Sequence, residues 1–522
     1  MYSLMVLMGN DWSFLNMKTF KNPILPGFYP DPSICRVGED YYMVTSTFAY
    51  FPGVPIFHSR DLVHWRQIGN VLDRPSQLPL GKSRISQGIF APTIRYNSGT
   101  FYMITTNVSG GGNFLVTAID PAGPWSEPFY LEGANGIDPS LFFDDDGKCY
   151  YHGTGDRREG AKYYGDNEIY LQELDLNEMK LVGERYAIWH SALKEAVWPE
   201  GPHLYKKDGY YYLMISEGGT GPDHAITIAR SKNITDYFEG FRSNPILTHR
   251  HLGQNYPIVN VGHGDLVETQ NGEWWMVCLA SRPYGGYFRN LGRETFLVPV
   301  EWENGWPVVN YGIGLVLDEE RLPNLPLAKV ETYTEVDFTK VDKFPLNMLF
   351  IRNPVESDYR LENDGLHLRL NKNTISELDT VSYVGLRQQH MSFEVETTLI
   401  FISASENEVA GLVIHQNHLY NYQLLLTKNA VQVIQIKDGE KTILAEKEWH
   451  GNSACLKMRA IGQDLSFYAD GQEVYKNADA RVLSTDVAGG FVGNTIGVYA
   501  SGSGVEAGDR FAVFGGLVYR EI

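Results

Sequence analysis

The chain has 522 residues, enough for two or three domains. Its 63 acidic residues outnumber 44 Lys and Arg residues, so the formal net charge is −19. Such a charge argues against nucleic-acid and membrane partners, whose phosphates attract basic surfaces. Aromatic residues make up 13% of the chain, and the 52 glycines favour a β-rich fold with many turns.

The N-terminal residues 1–16 are apolar but lack the basic segment that begins a secretory signal peptide. Met17 is an alternative start, and we interpret residues 1–19 as an N-terminal extension. No later stretch is long and apolar enough to span a bilayer. The sequence therefore predicts a cytoplasmic protein and leaves a periplasmic or secreted location open.

Five segments of the first 316 residues repeat one plan: a small or charged residue, a short apolar strand, a turn with glycine and an aromatic-rich strand. The turn glycines are Gly38, Gly99, Gly147, Gly209 and Gly272, spaced by 61, 48, 62 and 63 residues. Asp-Gly and Asn-Gly turns indicate hairpins, and hairpins at this period are typical of β-propeller blades. We predict a five-bladed β-propeller over residues 20–316; a β-sandwich with coincidental hairpins is the alternative.

The pattern changes after the repeats. Residues 317–331 contain two prolines and are interpreted as a linker. Residues 332–522 lack the repeat and contain alternating apolar and polar runs such as 392–401. They are predicted to form an antiparallel β-sandwich, so the fold class is all-β.

The first position of the repeat is occupied by Asp31, Ala91, Asp138, Glu200 and His263. Because the innermost strands of a propeller begin around its central channel, equivalent residues of the five blades face one another. Three carboxyl groups and one histidine are therefore expected at one channel mouth.

Three carboxyl groups around a channel suit two chemistries. Hard cations usually recruit clustered oxygen ligands from one loop, and the acidic run 144–146 is better interpreted as a solvated turn. In glycoside hydrolysis, one carboxylic acid protonates the leaving oxygen and a second carboxylate activates water. A third acid raises the pKa of the proton donor, and separate blades would fix the spacing of all three.

The segments around these acids resemble glycoside hydrolase family 43. The resemblance is carried by the motif Tyr-Pro-Asp-Pro-Ser at 29–33 and by segments 88–103, 136–147, 198–214, 262–269 and 290–300. Residues 332–522 resemble the sandwich of the family's β-xylosidase branch, a concanavalin-like (lectin-type) jelly roll. The resemblance implies an inverting glycosidase built on a five-bladed propeller.

The resemblance also implies a role for each acid. Asp31 would be the general base, Glu200 the general acid, and Asp138 the third acid, which tunes the pKa of the donor and orients the sugar. Arg293 would donate hydrogen bonds to sugar hydroxyls, work for which its planar, multi-donor group is suited.

Phe48, Phe90 and His263 would contact the substrate, the two rings by offering a face for a sugar. A buried core histidine is the alternative for His263. In many family members this histidine lies near a channel calcium held mostly by water, so a structural calcium is expected there and no other cofactor. The segment Asp509–Phe514 is expected to close the pocket.

We therefore predict an exo-acting β-1,4-xylosidase that removes xylose from the non-reducing end of xylo-oligosaccharides. Phe90 stands where the family commonly has Trp, which leaves α-L-arabinofuranosidase activity open as a companion or the main activity. A retaining fructosidase-like enzyme is disfavoured because its Asn-Asp-Pro-Asn motif is missing. A non-catalytic carbohydrate-binding propeller would repeat its binding residues in every blade. Exposed sandwich faces are compatible with a homo-oligomer.

Overall fold

Strands make up nearly all regular structure in the computed structural model, which describes residues 18–328, 335–505 and 508–522. Of the predicted extension, only Lys18 and Thr19 are described, and the predicted linker is described up to residue 328. Within these ranges, helical structure comprises α1 (Thr485–Ala488) and the 3-10 turns Glu356–Asp358 and Ala480–Leu483. No helix there has the length and apolar character needed to cross a membrane.

The first part of the chain forms 23 strands. In chain order they are β1 (Thr19–Lys21), β2 (Ser33–Val37), β3 (Asp40–Val44), β4 (Tyr50–Phe51), β5 (Gly53–Ser59), β6 (Arg66–Leu72), β7 (Thr93–Asn97), β8 (Thr100–Asn107), β9 (Gly112–Ala118), β10 (Phe129–Tyr130), β11 (Ile137–Phe143), β12 (Cys149–Asp156), β13 (Asn167–Asp175), β14 (Lys180–Trp189), β15 (Glu200–Lys207), β16 (Tyr210–Glu217), β17 (Ala225–Ser231), β18 (Glu239–Gly240), β19 (Val259–Glu268), β20 (Trp274–Ser281), β21 (Glu294–Glu303), β22 (Trp306–Val309) and β23 (Glu319–Arg321).

Twenty of these strands form five four-stranded antiparallel sheets, ordered β2-β3-β5-β6, β7-β8-β9-β10, β11-β12-β13-β14, β15-β16-β17-β18 and β19-β20-β21-β22. The first strands of successive sheets contact one another, and β19 contacts β2, so the ring closes. Each of the five repeat glycines lies in the turn after a first strand and has a positive φ, such as 64° at Gly38. The predicted five-bladed propeller is confirmed.

A buried carboxylate at the centre of the ring connects four blades. Asp265 of β19 accepts hydrogen bonds from the hydroxyls of Ser33 on β2 (2.8 Å) and Tyr205 on β15 (2.7 Å). The Arg95 guanidinium on β7 donates to both carboxylate oxygens, at 2.9 and 3.3 Å. Burial works to raise the pKa of Asp265, but Arg95, His203 and Tyr205 together outweigh it, and the pKa lies well below its usual value.

The remaining blade joins this cluster through a histidine. Burial lowers the pKa of His203 on β15 to about 3, so the ring is neutral. Its Nδ1 accepts from Arg95 at 2.8 Å, since a guanidinium can only donate, and lies 3.2 Å from the hydroxyl of Ser140 on β11. All five innermost strands therefore share one polar network, which we call the hub.

Ring closure also uses the N-terminal segment. Strand β1 pairs antiparallel with β23. Asn22 donates to the carbonyls of Leu297 on β21 and of Leu317, both at 2.9 Å, and accepts from the Leu297 N–H at 3.0 Å. The beginning of the propeller is thereby fixed to its last blade.

The second part of the chain forms β24 (Glu335–Asp337), β25 (Leu349–Ile351), β26 (Tyr359–Glu362), β27 (Gly365–Arg369), β28 (Ser382–Arg387), β29 (Phe393–Ile400), β30 (Val409–Asn417), β31 (Tyr420–Leu426), β32 (Ala430–Lys437), β33 (Glu440–Glu448), β34 (Ser453–Ile461), β35 (Asp464–Ala469), β36 (Gln472–Asp479), β37 (Thr495–Ser501), β38 (Phe511–Phe514) and β39 (Gly516–Glu521). Nine of them build one sheet, and the other seven build an eight-stranded sheet together with β4, which confirms the predicted β-sandwich.

One propeller strand belongs to the sandwich. Strand β4, which lies between two strands of blade 1, pairs with β25 at the edge of the eight-stranded sheet. A single hydrophobic core runs from blades 1 and 2 into the sandwich, with members such as Phe48, Ile94 and Leu412. The two domains are therefore held together by both a shared sheet and shared apolar burial.

Replacing Asp265 with Asn should lower the free energy of unfolding by about 3–5 kcal/mol, because it leaves a buried guanidinium without its counter-charge. Urea unfolding followed by circular dichroism measures the loss. The double variant Asp265→Asn, Arg95→Met should lose less than the sum of the single variants. Asp145→Asn, in an exposed turn, is the matched control, and equal stability of both Asn variants would contradict the role of the hub.

Candidate functional site

A pocket lies where the innermost strands begin, and all five first-position residues line it: Asp31, Ala91, Asp138, Glu200 and His263. The other walls are Phe48, Phe90, Ile137, Thr220, Arg293 and Phe491. The pocket is small, with a cavity volume of about 70 Å³. Residues separated by more than 230 positions in sequence thus meet in one cavity, as the repeat predicted.

The backbone at the pocket departs from regular strand geometry. Asp31, Asp138 and His263 have φ values of 56°, 52° and 46°, in the left-handed region. The pairing register shifts at the start of β11, β15 and β19, which marks irregularities of the bulge type. Bulges re-aim side chains, and strained conformations of this kind concentrate at functional sites.

The Asp31 carboxylate is held by a cation and a hydroxyl. Arg293 donates from Nη1 to Oδ1 at 2.8 Å, and Ser46 donates to Oδ2 at 2.5 Å. The Nδ1 atom of His263 lies 4.0 Å from Oδ1. Burial alone would raise the pKa of Asp31, but Arg293, His263 and Ser46 together hold it below its usual value. Asp31 is therefore ionised at neutral pH.

The pKa values of the other two acids, Asp138 and Glu200, are raised instead of lowered. Burial raises the pKa of Asp138 to about 6, and the charge of Asp31 contributes, although His263 and the N–H of Gly201 oppose it. The pKa of Glu200 is raised well above its usual value by burial and by the charges of Asp138 and Asp31. Glu200 therefore holds its proton to a higher pH than an ordinary glutamate does. One pocket thus presents a proton acceptor and a proton donor, as acid–base catalysis requires.

Arg293 lies between the acids and an aromatic wall. Its guanidinium carbon is 5.6 Å from the ring centres of both Phe48 and Phe491, within the range of cation–π contacts. It also donates to the Thr220 hydroxyl at 3.2 Å. Its buried Nε has no hydrogen-bond partner among the described residues. The guanidinium is thus fixed in position beside Asp31 at the wall of the pocket.

Three phenylalanines form that wall. Phe48 and Phe491 stack with ring centres 6.0 Å apart, and Phe90 meets them edge-on at 5.8 and 5.9 Å. The structure therefore places Phe48 and Phe90 at the pocket, where the sequence predicts them. Phe491 comes from the sandwich, and sequence reasoning missed it.

The expectation that Asp509–Phe514 closes the pocket is wrong. Phe511–Phe514 form β38, which pairs with β27 and β29 inside the sandwich. Its alternating burial is that of an ordinary strand. The loop between α1 and β37 performs the closure, and a phenylalanine between Gly490 and Gly493 was the available sequence signal.

This loop is fixed at both ends to the propeller segment that leads to Arg293. Arg289 pairs with Asp486 of α1 through Nη2 at 2.8 Å and through its backbone N–H at 2.8 Å. After the loop, the N–H of Asn494 donates to the carbonyl of Asn290 at 3.0 Å. The sandwich therefore helps to position both the loop and the arginine segment.

The surroundings of His263 bear on the expected calcium. Its N–H donates to the hydroxyl of Ser216, and a Cβ on Gly201 would lie 2.8 Å from its ring. Hard cations prefer several oxygen ligands. Within the described ranges, one group of three His, Cys, Asp or Glu residues brings its ligand atoms close together. It is Glu362, Asp364 and His367 in a sandwich hairpin, so His263 belongs to no such group. A calcium there would rest mostly on water and stays a prediction.

Comparison with known families gives two matches. Residues 20–307 match the model of the glycosyl hydrolases family 43, and residues 335–520 match the β-xylosidase C-terminal concanavalin A-like domain. The two matches together span both the propeller and the sandwich.

Individual relatives match nearly the whole chain. A xylosidase/arabinosidase of Butyrivibrio fibrisolvens is 50% identical over 519 residues, covering 96% of this chain and 99% of the relative. A non-reducing end α-L-arabinofuranosidase of Bacteroides ovatus is 39% identical, with 94% and 93% covered. The crystal structure of a xylan β-1,4-xylosidase from Bacillus halodurans superposes with a TM-score of 0.89 at 38% identity, covering 96% of this chain and all of that chain.

Replacing Arg293 with Met should raise the pKa of Asp31 by about 1–3 units, because it removes the nearest positive charge from a buried carboxylate. Carboxyl-carbon NMR titration of the folded protein measures this pKa. Arg520→Met is the control, since that exposed cation pairs with Glu335 in the sandwich instead. An unchanged Asp31 titration in the Arg293 variant would contradict the electrostatic account.

Proposed function

The chain belongs to glycosyl hydrolase family 43, and we propose that it is an inverting, exo-acting β-1,4-xylosidase with α-L-arabinofuranosidase activity at the same pocket. Its substrates are xylo- and arabino-oligosaccharides, from which it releases the non-reducing terminal sugar. The observation that carries the proposal is the pair of acids with opposite pKa shifts in one small pocket, Asp31 and Glu200.

The pKa directions support one role for each of these acids. Asp31, ionised, takes a proton from a water molecule as its oxygen attacks the anomeric carbon. Glu200, protonated, gives its proton to the departing glycosidic oxygen, so configuration inverts. At the end of the turnover Asp31 holds a proton and Glu200 is ionised, and exchange with solvent restores both. Inversion predicts a separation of about 6.5–9.5 Å between the two carboxyl groups.

The other residues bind and orient the sugar. The negative charge of Asp138 adds to burial in raising the pKa of Glu200. Arg293 lines the pocket and is suited to donate hydrogen bonds to sugar hydroxyls. The three phenylalanines give the ring an apolar face. Because the loop carrying Phe491 closes one side of the pocket, the pocket suits the terminal sugar of a chain. This mechanism uses only side chains and water, so we propose no cofactor for it.

Two observations support activity on both xylosides and arabinosides. Relatives bear the names xylosidase/arabinosidase and α-L-arabinofuranosidase. Phe90, smaller than the Trp common in the family, shapes a wall of the pocket. Assays with paired aryl xylosides and arabinosides measure which activity dominates.

Glu200→Gln should lower kcat/KM for xylobiose by about 10²–10⁴-fold, because the departing sugar oxygen needs a proton. The loss should be much smaller for a xyloside with an acidic nitrophenol leaving group, which departs unprotonated. Asp31→Asn should lower kcat/KM for xylobiose and for the nitrophenyl xyloside by a similar factor, since water must be activated for both substrates. Proton NMR of the first anomer formed tests inversion, and a retained configuration would exclude the mechanism.

Asp138→Asn should move the basic limb of the kcat/KM profile to lower pH by roughly one unit. The sign follows because removing a negative charge beside Glu200 favours its ionisation and so lowers its pKa. The profile is measured with an aryl arabinoside and an aryl xyloside, and Asp145→Asn serves as the exposed control. A shift to higher pH would contradict the assigned coupling.

A further inference from the structure

A cleft outside the catalytic pocket lies where blade 5 meets the N-terminal segment and the sandwich. It has a volume of about 590 Å³, within the range of ligand-binding cavities. Its walls come from the loop 254–258 that leads into β19, the loop 282–286 between β20 and β21, Lys21, Asn22, Asp318 and Met391. Among the described residues, none lines both this cleft and the catalytic pocket.

An arginine at this cleft has donors to spare. Arg282 donates from Nε and Nη2 to the two carboxylate oxygens of Glu294, at 2.7 and 2.8 Å. Glu294 is buried and also accepts from the N–H of Gly27 at 2.8 Å, so the ion pair is held in place. The Arg282 side chain is still 24% exposed, and its Nη1 makes no hydrogen bond within the described ranges. A fixed guanidinium therefore keeps N–H donors for a ligand.

The two loops add aromatic rings and amides to the same cleft. Tyr256 and Tyr284 are half-buried, and Gln254 and Asn255 are exposed. The side chains of Gln254 and Asn255 make no hydrogen bond in the part of the chain that the structure describes. An amide both donates to and accepts from a hydroxyl, and a tyrosine ring covers the apolar side of a sugar. This combination suits a hydroxyl-rich ring.

A histidine anchors the loop 254–258. Burial lowers the pKa of His249, so the ring is neutral. Its Nδ1–H donates to the carbonyl of Ile258 at 2.7 Å, and its Nε2 accepts from the N–H of Val316 at 3.0 Å. The same ring meets Tyr256 edge-on at 5.4 Å. The loop is therefore tied to the end of the propeller domain.

The sandwich anchors the loop 282–286. The hydroxyl of Tyr284 accepts from Nε2 of Gln388 at 3.0 Å, and its carbonyl accepts from Nε2 of Gln463 at 2.8 Å. Gln463 also packs against Gly285, where a Cβ would lie 2.4 Å from its side chain. Both walls of the cleft are thus in place before a ligand arrives, so that binding costs little ordering entropy.

The charges at the cleft are nearly balanced. Glu294 neutralises Arg282, and Lys21 lies 3.8 Å from the Glu319 carboxylate. Asp318 adds a negative charge to the wall. Because cations and carboxylates alternate around the cleft, it exerts no strong field of one sign. A neutral ligand with many hydroxyl groups fits this surface better than an ion does.

We propose that this cleft is a second, non-catalytic binding site for a neutral oligosaccharide, with sugar hydroxyls bonded to Arg282 and Asn255 and a sugar ring against Tyr256. The loop 282–286 leaves β20 at the end where Ala280 pairs with Glu294, the residue after Arg293. The cleft therefore lies at the pocket end of blade 5, and a chain bound there is retained near the catalytic site. Its binding groups are distinct from the acids that carry the proposed reaction.

The methyl group of Met391, which lines the cleft, is a local probe of binding. In the Glu200→Gln variant, which slows hydrolysis, titration with xylotetraose should shift the carbon-13 methyl NMR signal of Met391, assigned through Met391→Leu. The signal of Met458, buried in the sandwich, should stay in place and report an intact fold. An unmoved Met391 signal at millimolar xylotetraose would overturn the site.

Variants of the loop separate direct binding from an indirect effect of the catalytic pocket. Asn255→Ala and Tyr256→Ala, added to Glu200→Gln, should each raise the xylotetraose midpoint at Met391 by about 3–10-fold, since each removes one contact with the sugar. Asn407→Ala, an exposed asparagine of the sandwich, is the matched control and should leave the midpoint unchanged. Equal midpoints in all three variants would show that the sugar does not occupy the cleft.

Two further results distinguish the ligand class and the reaction. Inorganic phosphate should leave the Met391 signal in place, and a shift with phosphate but not with xylotetraose would overturn the assignment to a neutral sugar. Failure of the wild-type chain to hydrolyse any xyloside or arabinoside would overturn the proposed function. The Met391 titration needs no turnover, so a shift that Asn255→Ala weakens would still support the cleft.

Discussion

The buried contact between Asp265 and Arg95 is the constraint on which the geometry of the protein depends. Around it the innermost strands of all five blades are joined by hydrogen bonds, so none can slide along the channel without leaving a buried charge unpaired. The acids of the pocket lie at the beginnings of these same strands. Fixing the strands at the hub therefore fixes the spacing between Asp31, Asp138 and Glu200.

Burial acts on all three acids, yet their protonation states differ. Arg293 lies 2.8 Å from Asp31 and offsets the cost of its burial, whereas Glu200 faces two neighbouring carboxyl groups. The direction of each pKa shift thus depends on which charge is nearest, a property of side-chain placement and not of residue type. The position of Arg293 beside Asp31 thus makes Asp31 a proton acceptor, while Glu200, without such a neighbour, is a proton donor.

The sandwich contributes to the site as well as to the fold. Strand β4 of the propeller pairs with β25, and the loop carrying Phe491 reaches the pocket beside Phe48. Arg289 and Asp486 tie that loop to the segment ending at Arg293. Relative movement of the two domains would therefore disturb both the apolar wall and the cation that keeps Asp31 ionised.

The sequence alone determined the five blades, the sandwich and the convergence of Asp31, Asp138 and Glu200, because these follow from local periodicity and from equivalent positions in a repeat. It could not place Phe491, nor link Asp265 to Arg95, since those contacts join segments 170 or more residues apart with no shared pattern. The opposite protonation of the acids was likewise decided by tertiary structure, because a pKa depends on distances that only the folded chain sets.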